Sequence, residues 1–289
     1  MERSVQELVD AVRERRAVLF VGAGVSMNLG VPSLAELIDR MAREIGHDPD
    51  DFRALADSLT LAEFYYRKLG SLGPLRQWMT AASDGSPVDV SRSPIHRAIV
   101  NLNFPVIYTT NYDPWLERAF EAFGRPYRLI VRVADIARQT EAATEIVKLH
   151  GDLEDEDSVV FTESNYFDRL SFEAPLDIKL RADVLARPVL FIGYSLSDVN
   201  IRYLLHRLQR QWELDGRGTR RPTSYMFLTR PNPVYEAVLK ARGIEPLLCG
   251  DADPARGLLR LLQHLGSAGC SGNSLAPRAG AEDNRMSAR

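Results

Sequence analysis

Four short segments of this chain collect residue types that could bind a nucleotide and act on it. The letters GAGVS occupy positions 22–26, TTNYD occupies 109–113, LHGD occupies 149–152, and GYSLSD occupies 193–198. Glycine lets a backbone turn tightly and approach a phosphate closely, while serine, asparagine and histidine donate and accept hydrogen bonds. Each segment is weak evidence by itself, and the question is whether the fold brings the four together.

The glycine segment has two interpretations. Gly22 and Gly24 follow an apolar run, and the helix after them would offer unpaired N–H groups to an anion, with the hydroxyl of Ser26 as a further donor. However, Met27 stands where the full dinucleotide fingerprint has its third glycine, and no acidic residue on a second strand follows at the usual spacing. Nucleotide binding and a tight structural turn therefore both remain open at this point.

The second and third segments contain the candidates for catalysis. Asn111 could bind ribose hydroxyls or hold a water, and His150 ends an apolar run beside Gly151, where an imidazole could act as a general base. Asp113 precedes Pro114, so a role as a helix N-cap could account for it entirely. His47, His96, His206 and His264 lie in helical or loop patterns and are interpreted as structural.

Short apolar runs alternate with helical patterns along most of the chain, which predicts an α/β fold with a Rossmann-like, doubly wound parallel sheet. In such sheets ligands bind outside the carboxyl ends of the strands, where the four segments fall. The predicted strands are 17–21, 105–109, 145–149, 158–161, 188–192, 224–229 and 244–248.

Two regions interrupt this alternation with helical patterns alone. They lie near 50–103, with helices at 52–68, 72–82 and 94–103, and near 163–186. We expect helical insertions that cap one end of the sheet, the alternative being a separate helical domain. Residues 1–265 would form the domain, and the tail 266–289, rich in Gly, Ser, Ala, Asn and charge, is predicted to be disordered.

Composition excludes several classes of function. Lysine and arginine number 36 against 39 acidic residues, a net charge of −3, so strong autonomous nucleic-acid binding is not expected. The sequence has no apolar stretch of about 20 residues and no signal peptide at its start, which predicts a cytoplasmic protein with no membrane association. Cys249 and Cys270 form no metal-binding pair, so no metal site is expected.

Taken in this order, GAGVS, TTNYD, LHGD and FIGYSLSD are far more specific than any one of them. The set resembles the sirtuin family, specifically the bacterial SIR2-like domains of anti-phage defence systems. The resemblance extends from position 17 to about 265 and is weakest in the helical insertions.

The resemblance implies NAD as the substrate and assigns roles by position. Asn111 and Asp113 match the family's Asn-x-Asp at the nicotinamide ribose, and His150 matches its catalytic histidine. The dinucleotide-binding residues would be Gly22, Ala23, Gly24 and Ser26 at the pyrophosphate, with Gly193, Tyr194 and Ser195 near the adenine half. Thr229 and the segment 250–251 would lie near the adenosine by topology only.

Two departures from the deacylase members of the family point away from protein deacylation. The chain lacks the paired CxxC zinc module, and the segment 30–34 lacks the Asp-Phe-Arg signature of deacylases. The resemblance therefore implies an NAD⁺ hydrolase that yields nicotinamide and ADP-ribose, acts in anti-phage defence, and forms a homo-oligomer, with a HerA-like ATPase or helicase as a possible partner. The alternatives are an NAD-dependent deacylase and a non-catalytic subunit that binds NAD or ADP-ribose.

Overall fold

The strands of the fold are short, parallel and buried. A computed structural model of the chain describes residues 2–85, 88–138, 144–171, 173–195, 198–215 and 221–267. Seven strands in these ranges form one sheet in the order β3-β4-β2-β1-β5-β6-β7, with every pairing parallel. They are β1 (Val18–Val21), β2 (Val106–Thr109), β3 (Tyr127–Ile130), β4 (Thr144–Lys148), β5 (Val189–Ile192), β6 (Ser224–Leu228) and β7 (Ile244–Leu248).

The position of β1 sets where a ligand can bind. All four residues of β1, β2 and β5 are buried, as expected for strands covered on both faces. The chain runs from β1 to β2 on one side and later returns to β5 on the other side of β1. Such a reversal opens a crevice at the carboxyl ends of the central strands, which is where this class of sheet binds its ligands.

Helices cover both faces of the sheet. One face packs against α1 (Glu2–Arg13), α7 (Pro94–Leu102), α8 (Trp115–Ala122) and α14 (Pro254–Ser267). The other face packs against α11 (Pro175–Ala186), α12 (Val199–Asp215) and α13 (Pro233–Ala241). The remaining helices are α2 (Ala23–Ser26), α3 (Leu34–Glu44), α4 (Pro49–Leu55), α5 (Ser58–Leu69), α6 (Gly73–Asp84), α9 (Val133–Ala137) and α10 (Glu163–Asp168).

A separate apolar cluster holds the cap over the carboxyl edge. Leu37 and Met41 of α3, Phe52 of α4 and Tyr65 of α5 are buried together. The loop after β4 joins this cluster through Phe161, so the cap is packed onto the segment that carries His150. The cap comprises α3 to α6 together with α10, whose residues Glu163 and Ser164 form hydrogen bonds to α5. In contrast, α7 and α11, which also lie within the predicted insertions, pack on the two faces of the sheet.

One strand prediction was wrong, and one strand was not predicted. Residues 158–161 form no strand; they are an apolar run that enters the cap, where the carbonyl of Val160 accepts a hydrogen bond from the hydroxyl of Tyr112. The edge strand β3 was not predicted, because three of its four residues are only half-buried and it lacks a continuous apolar run.

The predicted tail begins slightly too early. Gly266 and Ser267 still belong to α14, and the rest of the predicted tail, 268–289, lies outside the described residues. No helix within the described ranges is long and apolar enough to cross a membrane.

Candidate active site

A cavity of about 940 Å³ opens at the carboxyl edge of the sheet, beneath the cap. This volume lies in the range of pockets that bury a cofactor-sized ligand. It brings together polar residues that follow five different strands: Gly24 after β1, Asn111 after β2, His150 after β4, Gly193 after β5 and Arg230 after β6. The structure thus places Asn111 and His150 in one cavity beside the glycine turn.

Most of the sequence-predicted residues line this cavity, but two do not. Ala23, Asp113, Tyr194 and Ser195 lie in its wall with the residues named above. Gly22 and Ser26 lie behind the wall, where they shape the turn and hold its neighbours.

The glycines of the first turn allow two loops to touch. The amide of Gly24 donates to the carbonyl of Gly193 at 2.9 Å. A Cβ on Gly22 would lie 2.4 Å from that same carbonyl oxygen, closer than atoms can approach. Gly193 itself has φ of +58°, the left-handed region that favours glycine. The close approach of these two loops therefore requires glycine at positions 22 and 193, and the wall of the cavity depends on this approach.

Substituting Gly193 by alanine should destabilise the protein more than the same change at Gly124. Both glycines have positive φ, but a Cβ at Gly193 would lie 2.6 Å from the amide nitrogen of Val25, whereas one at Gly124 meets nothing within 4 Å. Gly124→Ala should lower the free energy of unfolding by about 1–2 kcal/mol, the cost of placing alanine in the left-handed conformation. Thermal denaturation of the two variants tests this, and equal losses would contradict the steric role of Gly193.

Ser26 connects Asn111 to Asp113. The amide Nδ2 of Asn111 donates to Oγ of Ser26 at 3.1 Å, and that hydroxyl donates to Oδ1 of Asp113, also at 3.1 Å. All three residues are buried. Because the serine fixes the asparagine amide from behind, Asn111 presents its carboxamide to the cavity in one orientation.

Asp113 has both of the roles considered for it. Its Oδ1 accepts from the backbone amide of Trp115 at 3.2 Å, which caps the start of α8, and the residue also lines the cavity. Burial raises the pKa of Asp113 above its ordinary value, although the charge of Lys148 and the hydrogen bonds from Trp115 and Ser26 oppose this shift. Helix capping alone therefore does not describe this carboxyl group.

His150 has a carboxylate partner that the sequence analysis missed. Nε2 of His150 lies 3.0 Å from Oδ2 of Asp198, and both side chains are nearly buried. Oδ1 of Asp198 accepts from the amides of Asn200 and Ile201, so the same carboxylate caps α12. Burial opposes ionisation, but hydrogen bonds from His150 and the two amides, with the histidine charge, hold the pKa of Asp198 below its ordinary value. The sequence signal that could have indicated this partner is an aspartate directly before the helix that follows a buried strand.

Aromatic residues surround the other side of the histidine. The hydroxyl of Tyr166 lies 3.4 Å from Nδ1 of His150, and the ring of Tyr112 packs 6.4 Å away, centroid to centroid. Burial raises the pKa of both tyrosines well above the ordinary value, so their hydroxyls stay neutral near pH 7. The imidazole therefore lies between an ionised carboxylate and the neutral side chains of two tyrosines.

The far end of the cavity is formed by the segment after β6. Thr229, Arg230 and Asn232 line it, and the hydroxyl of Tyr235 donates to the carbonyl of Ser195. The segment 250–251 is not part of the lining. Within the described ranges, no group of three or more His, Cys, Asp and Glu residues is arranged to hold a metal ion.

Comparison with known proteins shows similarity to SIR2-like proteins. Residues 105–247 match the SIR2-like domain family. The chain is 30% identical over 220 residues to the NAD(+) hydrolase ThsA of Bacillus cereus (strain MSX-D12), covering 75% of this chain and 45% of that protein. It is 28% identical over 242 residues to the Defense-associated sirtuin 2 of Bacillus subtilis, covering 81% of this chain and 23% of that protein. The chain thus spans less than half the length of these relatives.

Solved structures agree on the fold. A Sir2 homologue mutant in complex with 2′-O-acetyl ADP ribose matches with a TM-score of 0.51 at 13% identity, over 94% of this chain and 99% of that chain. At this identity the match supports the fold alone. The four strand-end motifs, the seven-stranded sheet that unites them and the matches in sequence establish that this chain belongs to the SIR2-like family.

Proposed function

We propose that this chain hydrolyses NAD⁺ at the bond between nicotinamide and ribose, releasing nicotinamide and ADP-ribose. The observation that carries the proposal is the convergence of Asn111 and His150 in one cavity with the glycine turn between β1 and α2. The names of the relatives, NAD(+) hydrolase among them, support the same substrate and reaction. The cavity volume of about 940 Å³ is sufficient for a dinucleotide.

The reaction needs a base and a stabilised cation rather than a general acid. Nicotinamide is attached through a cationic ring nitrogen, so it leaves as a neutral molecule when the C–N bond breaks and its electron pair returns to the ring. The transition state is oxocarbenium-like, as in other glycosyl transfers. Water forms the new C–O bond at the ribose carbon and loses a proton.

The side chains divide this work. His150 accepts the proton from the attacking water or from a ribose hydroxyl, and the Asp198 carboxylate stabilises the imidazolium that forms. Asn111, held by Ser26, orders the ribose or the water. Asp113, in the wall of the same cavity, supplies negative charge near the developing cation when it is ionised.

Replacing Asp198 by asparagine should lower kcat about 10- to 100-fold, which corresponds to the loss of one hydrogen bond to a charged group. Asparagine also caps helices well, so α12 should keep its start and the fold should persist. Without the carboxylate, the imidazolium that forms when His150 accepts the proton is less stabilised, which is the physical reason for the loss. An unchanged kcat would show that Asp198 serves α12 alone.

Chromatography of NAD⁺ after incubation with the purified chain tests the proposed reaction. Nicotinamide and ADP-ribose should form without any added peptide. A deacylase would release nicotinamide only when an acetyl-lysine peptide is present. A non-catalytic subunit would show ligand-induced thermal stabilisation without turnover.

We also propose that the chain acts in the cytoplasm as the effector of an anti-phage defence complex. The relatives support this context, because one is named a defence-associated sirtuin. Homo-oligomerisation and association with a HerA-like ATPase are the partnerships implied by the family, and the net charge of −3 gives no support to nucleic-acid binding by the chain itself. Co-purification with the product of the adjacent gene, followed by the NAD⁺ assay on the complex, tests these partnerships.

A further inference from the structure

Arg230 is the one lysine or arginine among the described residues that line the cavity. It stands two residues beyond the end of β6 and is exposed. Within the described part of the chain it has no carboxylate partner. An unpaired guanidinium in a cavity wall is well suited to bind phosphate, because its planar donors match the phosphate oxygens.

The order of the strands indicates which part of a dinucleotide would reach Arg230. His150 and Asn111 follow β4 and β2, which lie on one side of β1, while Gly193 and Arg230 follow β5 and β6 on the other side. With the nicotinamide ribose at Asn111, the adenosine half must extend over β5 and β6. β6 lies two strand spacings, about 10 Å, from the glycine turn of β1.

The carboxylates of the cavity are engaged elsewhere. Asp57 accepts hydrogen bonds from the backbone amides of Leu59 and Thr60. Asp113 accepts from the hydroxyl of Ser26, and Asp198 pairs with His150. The segment after β6 reads Thr-Arg-Pro-Asn and contains no acid. Glu236, in the first turn of α13, accepts a hydrogen bond from the backbone amide of Asn232 at 3.0 Å.

This arrangement differs from that of sites that select NAD over its phosphorylated form. Those sites place a carboxylate on the ribose 2′-hydroxyl of the adenosine, whereas sites for the 2′-phosphate place an arginine there. A carboxylate at that position would repel the phosphate, whereas the segment after β6 has the arginine and no carboxylate.

We propose that Arg230 binds the 2′-phosphate of NADP⁺, so that the cavity accepts the phosphorylated dinucleotide as well as NAD⁺. The inference rests on the proposed function for the orientation of the dinucleotide.

Isothermal titration of the full chain with ADP-ribose and with 2′-phospho-ADP-ribose tests the proposal without requiring turnover. The unmodified chain should bind the phosphorylated ligand at least as tightly as ADP-ribose. Arg230→Gln should weaken binding of the phosphorylated ligand about 10- to 100-fold and leave ADP-ribose nearly unaffected. Arg13→Gln, which removes an exposed arginine on α1, is the matched control and should change neither affinity.

Several results would overturn the proposal. The unmodified chain must bind 2′-phospho-ADP-ribose, and Arg230→Gln must change its affinity; either failure overturns the proposal. An equal loss of affinity for both ligands would also overturn it, because it would assign Arg230 to the pyrophosphate. Nicotinamide release from NAD⁺ and NADP⁺, measured on the same samples, separates this inference from the proposed function. Cleavage of NAD⁺ with rejection of NADP⁺ overturns only the inference. The expected binding pattern without any nicotinamide release supports the inference and overturns only the hydrolase.

Discussion

Replacing His150 by alanine should lower the rate of nicotinamide release by about 10²- to 10⁴-fold, the usual contribution of a general base. Nε2 of this histidine lies 3.0 Å from the Asp198 carboxylate, inside the cavity that Asn111 also lines. Asn111→Ala should cause a comparable loss, because it removes the carboxamide that Ser26 holds toward the cavity. Chromatographic assay of NAD⁺ cleavage measures both losses.

A matched control separates chemistry from folding. His264→Ala removes an exposed imidazole on α14, outside the cavity, and should leave both activity and thermal stability unchanged. Circular dichroism should show that the His150 and Asn111 variants keep their helical content. Nicotinamide release at the unmodified rate from both variants would refute the assignment of these two residues.

Replacing Lys148 by methionine should reduce the free energy of unfolding by about 3–5 kcal/mol, the cost of removing one partner from a buried ion pair. The ammonium of Lys148 is fully buried and lies 2.8 Å from Glu117 and 2.5 Å from Asp152. It also donates to the carbonyl of Tyr112 at 3.1 Å, between Asn111 and Asp113 in the chain. Methionine fills similar volume but leaves the carboxylates without a cation, so the Asn111 segment should also lose its support.

Denaturant unfolding measures this loss, and two further variants show its cause. Lys68→Met, at an exposed position on α5, should change stability by less than about 0.5 kcal/mol. Combining Lys148→Met with Glu117→Gln and Asp152→Asn should recover much of the loss, because the unpaired charges disappear. If the triple variant is no more stable than Lys148→Met, the lysine acts through the packing of its side chain and not through its charge.

The pH dependence of the Lys148→Met variant has a definite sign. In the unmodified chain burial already raises the pKa of Glu117, opposed by Lys148, and removing the lysine strengthens this shift. A group whose pKa is higher in the folded state binds more protons there, so stability increases as pH falls. The variant should therefore regain stability, relative to the unmodified chain, as the pH falls toward the ordinary glutamate pKa of 4.5.

Much of the fold was predictable because its strands are buried on both faces. β1, β2 and β5 are continuous apolar runs bounded by polar or turn residues, and each was predicted to within one residue at either end. The edge strand β3 was missed because half-exposed residues carry no such pattern. The run at 158–161 was predicted as a strand because its residues are apolar, but their partners are the helices of the cap.

The sequence alone determined which residue types follow each strand, and parallel strands necessarily bring their carboxyl ends to one edge. Those two facts were sufficient to predict that Asn111, His150 and the glycine turn lie near one another. Only the tertiary structure showed that Asp198 pairs with His150, that Ser26 acts from behind Asn111, and that Arg230 shares their cavity. These relations join residues far apart in the chain, and their distances depend on how strands, loops and cap pack, which no local pattern of residues specifies.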